Sequence, residues 1–227
     1  MGGMRKLAYA LCLLTCSAGF GAQKAPERLD DAADLFSEIM STPDKGIPQD
    51  LLEKAQCIVL VPGLKKAGFI VGAKYGKGFV LCRRSSGVGW GAPAAIRIEG
   101  GSFGLQIGAS STDVVLLVMN QRGMKRLLTS KFTLGGDASV AAGPVGRTAS
   151  AQTDALLAAE MLSYSRSRGV FAGISLDGAT LRQDLDDNQE IYGKKLENKE
   201  ILGGSVAPPA AAAKLLKGLN KYSARKG

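Results

Sequence analysis

From Ala67 to Leu81 the chain alternates with a period of two. Odd positions carry Ala67, Phe69, Val71, Ala73, Tyr75, Phe79 and Leu81, while the even set includes Gly68, Gly72, Gly76 and Gly78. A period of two is the signature of a β-strand, whose side chains point alternately to opposite faces. One face is therefore bulky and apolar, and the other is mostly bare backbone. The device returns at Gly101 to Ala109, with Phe103, Leu105 and Ile107 on one face and Gly104 and Gly108 on the other. A glycine face has two readings. It lets another backbone or helix approach closely, or it forms a flat surface in contact with lipid. Gly76-Lys77-Gly78 is the expected hairpin turn. The β-branched run Cys57 to Pro62 reads as a buried strand stopped by Pro62-Gly63.

Helices are expected on either side of this block. Glu27 to Met40 places Leu29, Ala32, Ala33, Phe36, Ile39 and Met40 on one face and Asp30, Asp31, Asp34 and Glu38 on the other. A short helix follows from about Gln49 to Ala55. Asp113 to Met119 is a further buried strand, Asn120 to Leu128 a short helix, and Met161–Arg166 with Gly169–Leu176 a hairpin. Helices are expected again at Leu185–Tyr192, Glu197–Leu202 and Ala210–Tyr222. No strand–helix–strand alternation indicates a parallel sheet. The class is α+β: a Gly-rich antiparallel sheet or barrel-like core flanked by N- and C-terminal amphipathic helices.

The first 22 residues read as an export signal: basic Arg5 and Lys6, an apolar stretch from Leu7 to Thr15, then small residues to Ala22. Residues 23–227 then form a single domain, placed in the periplasm or at the outer membrane. Leu13-Leu14-Thr15-Cys16 resembles a lipobox, which would make Cys16 a lipidation site, although Thr15 departs from the usual small residue. Ordinary cleavage between Ala18 and Ala22 is the preferred reading. Of four cysteines, Cys57 and Cys82 remain in the domain. They either pair, closing a loop worth about 3 kcal/mol of chain entropy, or stay as buried thiols on neighbouring strands.

Charge is segregated. Residues 23–60 hold 4 Lys+Arg against 8 Asp+Glu, and residues 61–147 hold 12 against 3. A concentrated basic segment points to an anionic partner. In an exported protein that favours lipid headgroups or an envelope polyanion over nucleic acid. The candidate contacts are Lys65, Lys66, Lys74, Lys77, Arg83, Arg84 and Arg97, each worth about 1 kcal/mol near an anionic bilayer. The competing reading is a dispersed, solvated surface.

Catalytic patterns are few. The chain has no histidine, which removes His-based general bases and Ser-His-Asp triads. No Walker loop or dinucleotide fingerprint is present. The acidic run Asp184, Asp186, Asp187, Glu190 fails as a calcium loop, because Gln189 and Lys195 stand where glycine and glutamate are needed. It reads as the acid-rich start of a helix. No catalytic residue, metal ligand or cofactor is assigned, and the chain is read as a non-enzyme.

The stretch Cys57-Ile58-Val59-Leu60-Val61-Pro62-Gly63-Leu64-Lys65-Lys66-Ala67-Gly68-Phe69 resembles the opening of the SYLF domain. So do Trp90-Gly91-Ala92-Pro93-Ala94, Gly101-Ser102-Phe103-Gly104-Leu105, Gly135-Gly136-Asp137, Gly143-Pro144-Val145-Gly146 and Tyr164-Ser165-Arg166-Ser167-Arg168-Gly169. The resemblance runs from about Ala33 to the last helix. It implies lipid binding: eukaryotic members bind phosphoinositides, and some fungal ones also bind actin. In a bacterial envelope an ordinary anionic phospholipid is the expected ligand and actin is not. A cell-envelope structural or protein-interaction module without a lipid ligand is the alternative.

Overall fold

The computed structural model describes residues 23–41, 46–146, 158–167, 170–174 and 176–223, without the side chains of 69–71 and 102–109. The leader and Cys16 lie outside the described residues.

Two strands dominate. β1 (Cys57–Cys82) and β2 (Ala94–Val118) pair antiparallel along nearly their whole length. A straight strand of 26 residues would reach about 80 Å at roughly 3.3 Å per residue. Yet the Cα atoms of Cys57 and Cys82, the two ends of β1, lie 4.0 Å apart and their sulfurs are bonded. The ribbon is therefore bent back on itself into a half-barrel. Two register shifts, between Val61 and Leu64 and between Gly68 and Ile70, break the ladder where the curvature is needed.

Glycine makes the closure possible. A Cβ on Gly78 would sit 2.0 Å from the Leu60 carbonyl oxygen, and one on Gly76 would meet Leu64 and Val61 at 2.8 and 2.9 Å. The glycine face at this end thus admits a second stretch of backbone. The expected turn at Gly76-Lys77-Gly78 is not one: both glycines lie inside β1, and neither has the positive φ that a tight hairpin turn requires. The turn comes at residues 83–93, where Gly87 and Gly89 do have positive φ. Nor does Pro62-Gly63 end the strand. It forms the first irregularity, where the Gly63 N–H donates to Asp113 Oδ1 at 2.9 Å.

The other edge of β2 is shared. β7 (Thr180–Gln183) pairs with Ile96–Glu99, and β5 (Met161–Ser167) pairs with Asp113–Val118. β3 (Lys131–Thr133) adds to β7, and β6 (Val170–Gly173) adds antiparallel to β5. β4 (Val140–Ala142) runs parallel to β5, so the sheet is mixed rather than purely antiparallel.

Both faces of the ribbon are covered at its closed end. Ile58, Leu60, Phe79 and Leu81 point into one core, and Val59, Val61, Val80 and both cysteines into the other. Burial on both faces explains the unbroken apolar run from Cys57 to Val61. The first core is roofed by α1 (Ala25–Ser41) and by the C-terminal helix α6 (Ala213–Tyr222), whose Tyr222 meets Phe36 edge-on at 6.1 Å. Pro26 suits the first turn of α1, where no N–H partner is lost. Between these lie α2 (Gln49–Lys54), α3 (Gln121–Leu127), α4 (Leu185–Tyr192) and the short α5 (Asn198–Glu200), which runs into a π-turn at Ile201–Ser205.

Candidate anion-binding bend

The seven basic residues singled out by sequence fall into three groups. Lys77 and Arg97 belong to an internal charge network. Lys77 Nζ lies 2.7 Å from Asp187 and 2.9 Å from Asp184, both buried at the start of α4. Arg28 of α1 pairs with the other oxygen of Asp187, and Arg97 reaches Asp184 at 3.8 Å and Glu99 at 3.6 Å. Asp184 also caps α4, accepting the Asp187 N–H at 3.2 Å. Burial pulls the Lys77 amine down, but its bonds to Asp187 and Asp184 outweigh this and hold it above the ordinary lysine value. Burial likewise pushes Asp184 up, and Lys77, the Asp187 N–H and Arg97 outweigh it and hold the carboxyl below its ordinary value. The acid run is thus a helix start, as the sequence suggested, and also the counter-charge of two strand cations.

Arg83 is a structural tie. Its guanidinium lies 4.1 Å from the ring centroid of the buried Trp90 and donates to the carbonyls of Ser223 at 2.7 Å and Leu52 at 3.1 Å. Trp90 Nε1 donates to Ser223 Oγ at 2.8 Å. Arg84, exposed on the same turn, donates through Nε to the Trp90 carbonyl at 3.1 Å.

Lys66 and Lys74 come near each other at the bend, and Lys65 lines the neighbouring cavity with Tyr75. Lys65 is exposed, and Lys66 and Lys74 are half-buried. The Lys66 amine is held below the ordinary lysine value first by burial and then by the charge of Lys74. None of the three forms an ion pair with any described residue. Tyr75, 46% exposed, shares the cavity lining with Lys65. Next to the bend a cavity of about 440 Å³ opens between α1 and β1, lined by Lys24, Lys65, Tyr75, Lys77, Asp187 and Glu190. Sequence reasoning missed Lys24, because it sits in the acidic N-terminal segment and only the fold carries it to Lys65.

Among the described residues no group of three or more metal-ligating side chains occurs, and no helix is long and apolar enough to cross a membrane. Such an arrangement can hold an anion by charge, since it offers unpaired cations.

Residues 99–222 match the Ysc84 family, described as "Las17-binding protein actin regulator". The chain is similar to an SH3 domain-containing protein of Schizosaccharomyces pombe, 38% identical over 177 residues that cover 77% of this chain and 41% of that protein. It is 37% identical over 191 residues to SH3 domain-containing YSC84-like protein 1 of Rattus norvegicus, covering 83% and 56%. With LAS seventeen-binding protein 3 of Saccharomyces cerevisiae it shares 36% over 179 residues, covering 77% and 38%. The chain spans about half the length of the curated relatives it matches. Of these three, only the Saccharomyces cerevisiae protein is named for what it binds. The match covers more than half of this chain, from β2 to the last helix, and the chain belongs to the Ysc84, or SYLF, family.

Proposed function

We propose that this chain is an interaction module that docks on an anionic phospholipid surface through the bend of the β1–β2 ribbon. The observation that carries the reading is the pair Lys66 and Lys74, two like charges held near each other, neither of which forms an ion pair with a described carboxylate. Such a pair is destabilising when alone and is relieved by an anion that binds between them. Lys65 and Lys24 extend the positive surface. Three or four cations at about 1 kcal/mol each support reversible attachment that weakens as salt screens it. With the leader read as an export signal, the surface belongs to the periplasm or the outer membrane.

Vesicle co-sedimentation tests this. The chain is expected to bind vesicles containing phosphatidylglycerol and not pure phosphatidylcholine, and to release them as salt rises. Lys66→Glu with Lys74→Glu should abolish binding, and Lys77→Gln should leave it in place if the protein stays folded. Salt-independent binding, or none to either vesicle, sinks the reading.

The family description favours a second reading, a protein partner of the actin-regulating class. Co-sedimentation with actin filaments in place of vesicles discriminates the two.

A further inference from the structure

A second cavity, of about 600 Å³, lies at the opposite end of the ribbon from the bend. It shares no lining residue with the cavity beside the bend, so the two places are separate. The hairpin turn supplies Arg84 and Ser85 to the lining. The facing side comes from Met124 of α3 and from Leu202 and Val206 around the π-turn, with Ala92 completing the apolar wall. The volume is that of a small-molecule site, and so is the composition, mostly apolar with a few polar groups.

We infer that this cavity binds a single-chain amphiphile with an anionic head, such as a fatty-acid carboxylate. Charge selects the head. The lining contains Arg83 and Arg84 and no acidic residue. Arg83 is committed to backbone carbonyls. Among the described residues Arg84 donates only through Nε, to the Trp90 carbonyl, which leaves both Nη groups for the paired hydrogen bonds a carboxylate accepts. The Ser85 hydroxyl has no partner among the described residues and can add a third. Shape and polarity select the tail: Leu202, Val206 and Ala92 offer aliphatic contact, and Met124 is a side chain that adapts to irregular apolar ligands. This site is independent of the bend and of vesicle binding.

Trp90 reports on the site. It is the chain's single tryptophan, fully buried, and it touches Arg83 and Arg84. The full chain is titrated with decanoate below its micelle concentration, followed by Trp90 emission and by calorimetry. Saturable binding of one equivalent is expected, with decanol at least tenfold weaker. Arg84→Gln should weaken decanoate at least tenfold and leave decanol unchanged. Val206→Asp should abolish both, whereas Lys131→Gln, which removes an equal charge from an exposed site on β3, should change nothing. Arg84 is exposed, so its variant keeps the fold even if Val206→Asp does not. No saturable signal, retention of full affinity by Arg84→Gln, or an equal loss in Lys131→Gln overturns the inference.

Discussion

The two ends of the β1–β2 ribbon use the same residue types for opposite purposes. At the closed end glycines 76 and 78 press against Leu60, Val61 and Leu64, the cysteines join, and Lys77 and Arg97 are neutralised by Asp184, Asp187 and Glu99. At the bend Lys65, Lys66 and Lys74 have no counter-charge among the described residues. A lysine at one end is part of the scaffold, and at the other end it forms no ion pair with any described residue. Position on one strand decides which, because Lys77 and Arg97 are the strand cations that reach the carboxylates at the start of α4.

Breaking the charge network should produce the largest effect. Asp187→Ala removes the counter-charge of buried Arg28, leaving it the Gln23 carbonyl, and removes one of two partners of Lys77. The expected loss is about 3 kcal/mol, the scale for removing one member of a buried ion pair. Lys74→Ala, at the bend, should stay within about 0.5 kcal/mol of the parent. Urea unfolding of both measures the contrast, and equal losses would erase it.

Glycine packing comes next. Gly78→Ala places a methyl group 2.0 Å from a backbone oxygen that cannot swing away. A loss of about 2–3 kcal/mol is expected for such overpacking. Gly101→Ala, where a Cβ would meet nothing within 4 Å, should be close to neutral. Thermal melts of the two variants test whether glycine serves close approach at the closed end alone.

Acid should loosen the closed end before the bend. The Asp184 carboxyl titrates below its ordinary value of 3.8 in the folded chain. Its stabilisation is therefore complete above 3.8 and is lost as pH falls through the lower folded value. Asp184→Asn should flatten that part of the acid-unfolding curve, and an unchanged slope would show that other carboxylates carry it.

Much of this contrast was legible in the sequence, and the missing part has a physical cause. The helical period gave α1 and the last helix to within a few residues, and Leu185–Tyr192 as observed. Alternation gave the strands and marked their bare face. The turn was misplaced because Gly-Lys-Gly satisfies both a tight turn and a close crossing. The one discriminating sign was that the bulky odd positions Tyr75, Phe79 and Leu81 keep their phase straight through it. The sorting of the seven cations was not legible. The Lys77 partner Asp187 is 110 residues away, and only the bend in β1 brings α4 against it. Pairing of the cysteines was undecidable for the same reason, since it needs the two ends of one long strand to meet.

The smallest effect is also the one that most directly probes the bend. If Lys66 and Lys74 repel each other across it, removing either charge should stabilise the fold. Lys66→Met and Lys74→Met should each gain a few tenths of a kcal/mol, the scale of a solvent-screened interaction between two charges at the surface. The double variant should gain no more than either single one, because the first substitution already removes the repulsion. The gain should shrink as salt is added. It should also shrink as pH rises toward 10.5: the Lys66 amine is held below that value in the folded chain, so it sheds its proton there before it would in the unfolded chain. Differential melts of the four proteins complete the cycle. Strictly additive gains would mean that the two lysines do not sense each other, and the bend would then differ from the closed end only in exposure.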